Sequence, residues 1–73
     1  MSLDSINPAL KAGLDYIERR GTLTYITGFE SRTMVGNFQL SLDRRTVEAR
    51  KIRGRNRWQL CSTWNVVSFE VTR

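Results

Sequence analysis

The chain has 73 residues, enough for one small domain, and a domain of that size buries only about 60% of the surface its unfolded form exposes. One cysteine and no histidine exclude an internal disulfide framework and an ordinary structural zinc site. Association between subunits is therefore the expected supplement to a marginal core, and no cofactor is expected. Twelve Lys and Arg against seven Asp and Glu give a net charge of +5, which points to an anionic partner. Apolar runs of two or three residues do not span a membrane, and Met1-Ser2-Leu3-Asp4 shows no secretory pattern, so a cytoplasmic protein without a membrane partner is expected.

The first element in chain order reads as a helix over about residues 7–20. Asn7 is a good N-cap and Pro8 suits the first helical position. Ile6, Leu10, Leu14 and Ile17 draw one apolar stripe, Arg19 and Arg20 fall in the last turn, and Gly21 stands just past the end. Gly13 inside this span weakens the helix by about 1 kcal/mol relative to alanine.

After Gly21 the period changes to two. Thr22 to Phe29 alternates, and Glu30-Ser31-Arg32 is the expected turn. The clearest strand is Thr33 to Leu42, with Met34, Gly36, Phe38 and Leu40 on one face. A glycine at position 36 of so long a strand permits a sharp bend. Weaker strands are expected at Thr46 to Ile52, Arg57 to Thr63 and Val66 to Val71, the last with Val67, Phe69 and Val71 inward. The core expected from these faces is Met34, Phe38, Leu40, Val67, Phe69 and Val71, covered at one end by Leu10, Leu14 and Ile17. The expected fold class is mostly β: one domain spanning residues 1–73, a small, strongly bent five-stranded barrel over about residues 22–71 with an N-terminal α-helix.

Catalysis is hard to build from these residues, and no enzyme is expected. No histidine is present for general-base work near neutral pH. Asp15 and Glu18 share one face of the expected helix, where they read as solvated charges near Arg19 rather than as a catalytic pair. Cys61 reads as a small buried hydrophobe.

The cations, by contrast, are concentrated. Arg44, Arg45, Arg50, Lys51, Arg53, Arg55 and Arg57 lie within fourteen residues, with only Glu48 opposing them there. Arginine offers planar, bidentate donors to phosphate and stacks on bases. Trp64, in a short break between two strands, is a candidate stacking platform, whereas Trp58 reads as core. These seven cations and Trp64 are the candidate nucleic-acid-binding residues.

Several segments resemble the Sm-like family, and within it the Hfq branch of bacterial RNA chaperones. Asn7-Pro8-Ala9-Leu10-Lys11-Ala12 resembles the Asp-Pro-Phe-Leu-Asn-Ala helix start of that branch. Met34-Val35-Gly36-Asn37-Phe38 resembles its Leu-x-Gly-x-Ile step, Asp43 with Thr46-Val47 its Asp-x-Phe-Val entry to strand three, and Val66-Val67-Ser68-Phe69 its Ile-Ser-x-Val. Ser62-Thr63-Trp64-Asn65 stands where that branch has Tyr-Lys-His-Ala, so Trp64 replaces the histidine that contacts uridine. The loop between strands three and four is basic, unlike the usual short one. The resemblance implies a homo-oligomeric ring of about five to seven subunits, strand four of one pairing with strand five of the next, that binds single-stranded RNA. The competing expectations are a small basic barrel that acts as an adaptor or phage-encoded inhibitor on an acidic host protein, and a barrel that binds duplex DNA.

Overall fold

A computed structural model describes residues 7–72. Its elements in chain order are the helix α1 (Pro8–Lys11), the strands β1 (Arg19–Thr27), β2 (Glu30–Leu40), β3 (Thr46–Arg50) and β4 (Arg57–Ser62), a 3-10 turn (Thr63–Asn65) and β5 (Val66–Val71). The fold is mostly β, with five antiparallel strands in one sheet in the order β4-β3-β2-β1-β5.

The helix starts where expected and ends early. Asn7 Oδ1 accepts from the backbone N–H of Ala9 at 2.9 Å and of Leu10 at 3.4 Å, which satisfies two of the donors left free at a helix start. Gly13 then takes φ 102°, a conformation that favours glycine, and the helix is over after one turn. The expected continuation to residue 20 is thus incorrect: Gly13, not Gly21, is the stop. Leu14 still reaches the core at 2% exposure, but Ile17 is 64% exposed, and Ile6 lies outside the described residues.

Gly21 instead sits inside β1. A Cβ there would lie 2.1 Å from the carbonyl oxygen of Glu70, so only glycine lets β5 approach. The first hairpin turns at Gly28-Phe29, two residues before the expected Glu30-Ser31-Arg32. Gly28 has φ 61° at the first central position of this two-residue loop, where hairpins of the II′ type want glycine.

Leu23, Phe38, Leu40, Val47, Ala49, Val66 and Phe69 form one core with Ala9 and Leu14. The rings of Phe38 and Phe69 meet edge to face, with centroids 5.8 Å apart. Two register shifts redirect the side chains of the outer strands. Between Thr24 and Tyr25 the β1–β5 pairing shifts by one residue at Val67, so Val66 turns inward at 6% exposure and Val67 outward at 55%. The inward placement expected for Val67 is therefore corrected. Val71 keeps its face but is 50% exposed at the end of an outer strand, and Met34 is half-buried. A matching shift at Leu60 sets Cys61, not Leu60, opposite Val47.

Candidate nucleic-acid interface

The structure divides the predicted basic site into two groups, because β3 runs between them. Arg44 and Arg45 precede this strand and Lys51 to Arg55 come after it. Five residues of strand separate the groups by roughly 15 Å.

At the first end, Arg44 takes φ 61° in the β2–β3 loop, and Asn7 Nδ2 donates to its carbonyl at 3.0 Å. Its Nε donates to the hydroxyl of Tyr16, and its guanidinium lies 5.3 Å from the centre of the Tyr16 ring. Arg45 is exposed, its amide donating to Asp43 Oδ1 at 3.0 Å. The Ser41 hydroxyl and that Arg45 amide hold the Asp43 carboxyl below its ordinary pKa. Trp64 belongs to this end. The amide of Thr63 donates to the carbonyl of Arg45 at 3.0 Å, Ser62 caps the 3-10 turn, and Trp64 projects from it at 55% exposure.

At the second end the side chains fall into two kinds. Arg50 and Arg57 are directly opposite across β3 and β4, and both bind Glu18. Arg50 donates to Glu18 through Nη2 at 2.6 Å and Nε at 3.1 Å, a bidentate fork, while Arg57 Nη2 donates to Glu18 Oε2 at 2.8 Å. These bonds, that from Arg50 first, lower the Glu18 carboxyl to about 2. Arg50 Nη1 also donates to the carbonyl of Gly54 at 2.6 Å, which ties the β3–β4 loop to the strand. Lys51, Arg53 and Arg55 are exposed in and beside that loop, and among the described residues none of them forms an ion pair.

Sequence reading missed Glu18 because it placed that residue on a helix, among solvated charges. It is half-buried where the chain enters β1, while Asp15 pairs with Arg19 at 2.6 Å as expected. It also missed a cleft of about 500 Å³ whose lining includes Tyr16, Gln39, Asp43, Thr46, Glu48 and Gln59. Gln39, Glu48 and Gln59 are directly opposite one another on β2, β3 and β4, on the face turned away from Phe38. That row was visible only as the polar half of three alternating strands.

Burial pushes the Cys61 thiol up to about 11, so it is no reactive thiolate near neutral pH. Among the described residues no cluster of three or more His, Cys, Asp or Glu is placed to hold a metal ion, and no helix is long and apolar enough to cross a membrane. Comparison with family models, curated proteins and solved structures gave no match.

Proposed function

We propose that the protein is a single-stranded RNA-binding protein of Sm-like design, its sheet bent into a small barrel and its subunits joined in a homo-oligomeric ring that acts as an RNA chaperone. The observation that carries the RNA reading is the loop with Lys51, Arg53 and Arg55: three exposed cations with no acidic partner among the described residues, on a hairpin that can track an unpaired strand. Arg50 and Arg57 contribute less, since Glu18 already occupies their donors. Arg44, Arg45 and Trp64 form a second contact region, where the indole stacks a base. The ring is supported by the sheet order, which among the described residues leaves β4 and β5 with one neighbour each. Unprotected edges invite pairing, and a closed ring covers them. The protein then has no catalytic role and works in the cytoplasm.

The test is a titration of labelled single-stranded RNA and of duplex DNA at two salt concentrations, with wild type and the double variant Arg53→Ala, Arg55→Ala. Each lost phosphate contact should reduce the salt slope by about 0.7 for a single strand, so the double variant should lose about 1.4 and bind much more weakly. Equal affinities for the two proteins, or no RNA binding by wild type at low salt, would reject the RNA reading in favour of a protein-binding adaptor. Tighter binding of the duplex would reject it in favour of DNA.

A further inference from the structure

We infer that the cleft over β2, β3 and β4 is a nucleobase pocket that selects guanine, with Glu48 as the group that reads the base. This rests on the RNA reading above and gives it a base preference.

The position of the cleft comes first. Its floor is the row Gln39, Glu48, Gln59, and the adjacent row on the same face is Asn37, Arg50, Arg57. Two residues along a strand separate the rows by about 7 Å. At its other end stands Tyr16 with the Arg44 guanidinium over its ring. The cleft thus has a polar floor flanked by the apolar side chains of Leu40 and Leu42, one aromatic ring in its wall and arginines bordering both ends. A nucleotide has the same layout, with a flat polar base between phosphates.

The lining chemistry then chooses the base. Single-stranded RNA is read by stacking on aromatic rings and by hydrogen bonds to the Watson–Crick edge. Glu48 is half-buried on a strand, and its Oε1 accepts from Gln39 Nε2 at 3.1 Å, which fixes the carboxylate in place. An ionised carboxylate only accepts, and it has about four sites for doing so. Guanine presents N1–H and the N2 amino group side by side, two donors that one carboxylate takes together. Uracil presents carbonyl oxygens on both sides of its single N–H, and these are repelled by Glu48 and by Asp43 beyond it. Cytosine and adenine each offer one amino group next to an acceptor nitrogen. Asp43 is exposed on the β2–β3 loop, where its Oδ1 accepts from the Ser41 hydroxyl at 2.5 Å and from the Arg45 amide, whereas Glu48 stands half-buried in the floor of the cleft and is the reader.

The experiment uses labelled hexauridylate in which one central base is replaced in turn by guanine, hypoxanthine, adenine or cytosine, with the all-uridine strand as reference. Wild type should bind the guanine strand roughly 10-fold more tightly than the all-uridine strand, as one bidentate base contact warrants. Hypoxanthine lacks the N2 amino group and should lose most of that gain, a comparison that leaves the protein unaltered. Glu48→Gln should abolish the guanine preference by weakening the guanine strand, while the all-uridine strand, no longer opposed by the Glu48 carboxylate, binds at least as tightly as it does to wild type. Equal binding of all five strands by wild type, or a guanine preference that survives Glu48→Gln, would overturn the guanine pocket and leave the RNA reading standing. Failure to bind any of the five would take down both.

Discussion

Glu18 determines how much of the basic charge faces outward. Its carboxylate lies between Arg50 and Arg57, at 2.6 and 2.8 Å from their nearest nitrogens, so three side chains carry a net charge of one. The pairing links the chain just before β1 to β3 and β4, far apart in sequence, and it acts on stability as well as on charge. A carboxyl held at about 2 against an ordinary 4.5 stabilises the fold above pH 4.5, and that contribution is lost as the pH falls through about 2. Partial exposure limits its size, and Glu18→Gln should cost about 1 kcal/mol at pH 7. Urea denaturation at pH 7 and at pH 2 checks this. The two proteins should differ at pH 7 and converge at pH 2, and an equal gap at both would show that the ion pair is not the source. Phe38 makes the simpler case. It is fully buried against Phe69, so Phe38→Ala should cost about 3–5 kcal/mol, most of what a domain of this size has to lose. A melting curve unchanged by that substitution would remove Phe38 from the core.

The strands were legible in the sequence because a half-buried strand shows itself in every second residue. Met34, Gly36, Phe38 and Leu40 recur at every second position, and β2 covers that stretch. The helix was legible only at its start. Asn7-Pro8 is a local signal and works locally, but the stripe through Leu10, Leu14 and Ile17 is compatible with a helix without requiring one, and φ 102° at Gly13 ends it. The faces of β4 and β5 were not legible either. A shift of one residue at Leu60 or Val67 leaves no mark in composition, yet it exchanges the inner and outer sides of the strand on either side of it. The candidate site divides in the same way. Clustered cations are visible in a sequence, but their division by β3 and the capture of two of them by Glu18 depend on pairing between distant residues. Gly21 offers a test of the element that brings β5 in. The 2.1 Å separation between a Cβ at that position and the Glu70 carbonyl leaves no room for alanine without displacing a strand. Gly21→Ala should therefore destabilise by more than about 2 kcal/mol, above the centre of about 1 kcal/mol for point changes. Hydrogen exchange should show protection lost first in β5, and retained protection there would mean that the strand moves aside at little cost.

At the scale of the whole molecule, the proposed ring is motivated by how little this chain buries alone. Among the described residues the core consists of nine, two of them alanine, while Val67, Val71, Trp58 and Trp64 remain between 37% and 55% exposed on or beside the two outer strands. Burying apolar surface contributes about 25 cal/mol per Å², so pairing these edges in a second copy recovers stabilisation the monomer lacks. The two edges differ: β4 carries Arg57, Trp58 and Gln59, and β5 carries Val67, Phe69 and Glu70. Unlike edges pair head to tail, and a head-to-tail contact either closes into a ring or grows into a filament. The bulges at Leu60 and Val67 add twist at both edges, which turns each added subunit away from a straight line and favours closure. Light scattering at micromolar concentration should then give one discrete mass of about five to seven chains, unchanged on dilution over a decade. A mass that rises continuously with concentration would indicate a filament, and a monomer throughout would show that the outer strands are stable unpaired. Trp58→Glu separates the contact from the fold. The residue is 37% exposed on the outer strand β4, so a charge there should break the particle into smaller species while the isolated chain keeps its far-ultraviolet spectrum. An intact particle in that variant would place the subunit contact elsewhere.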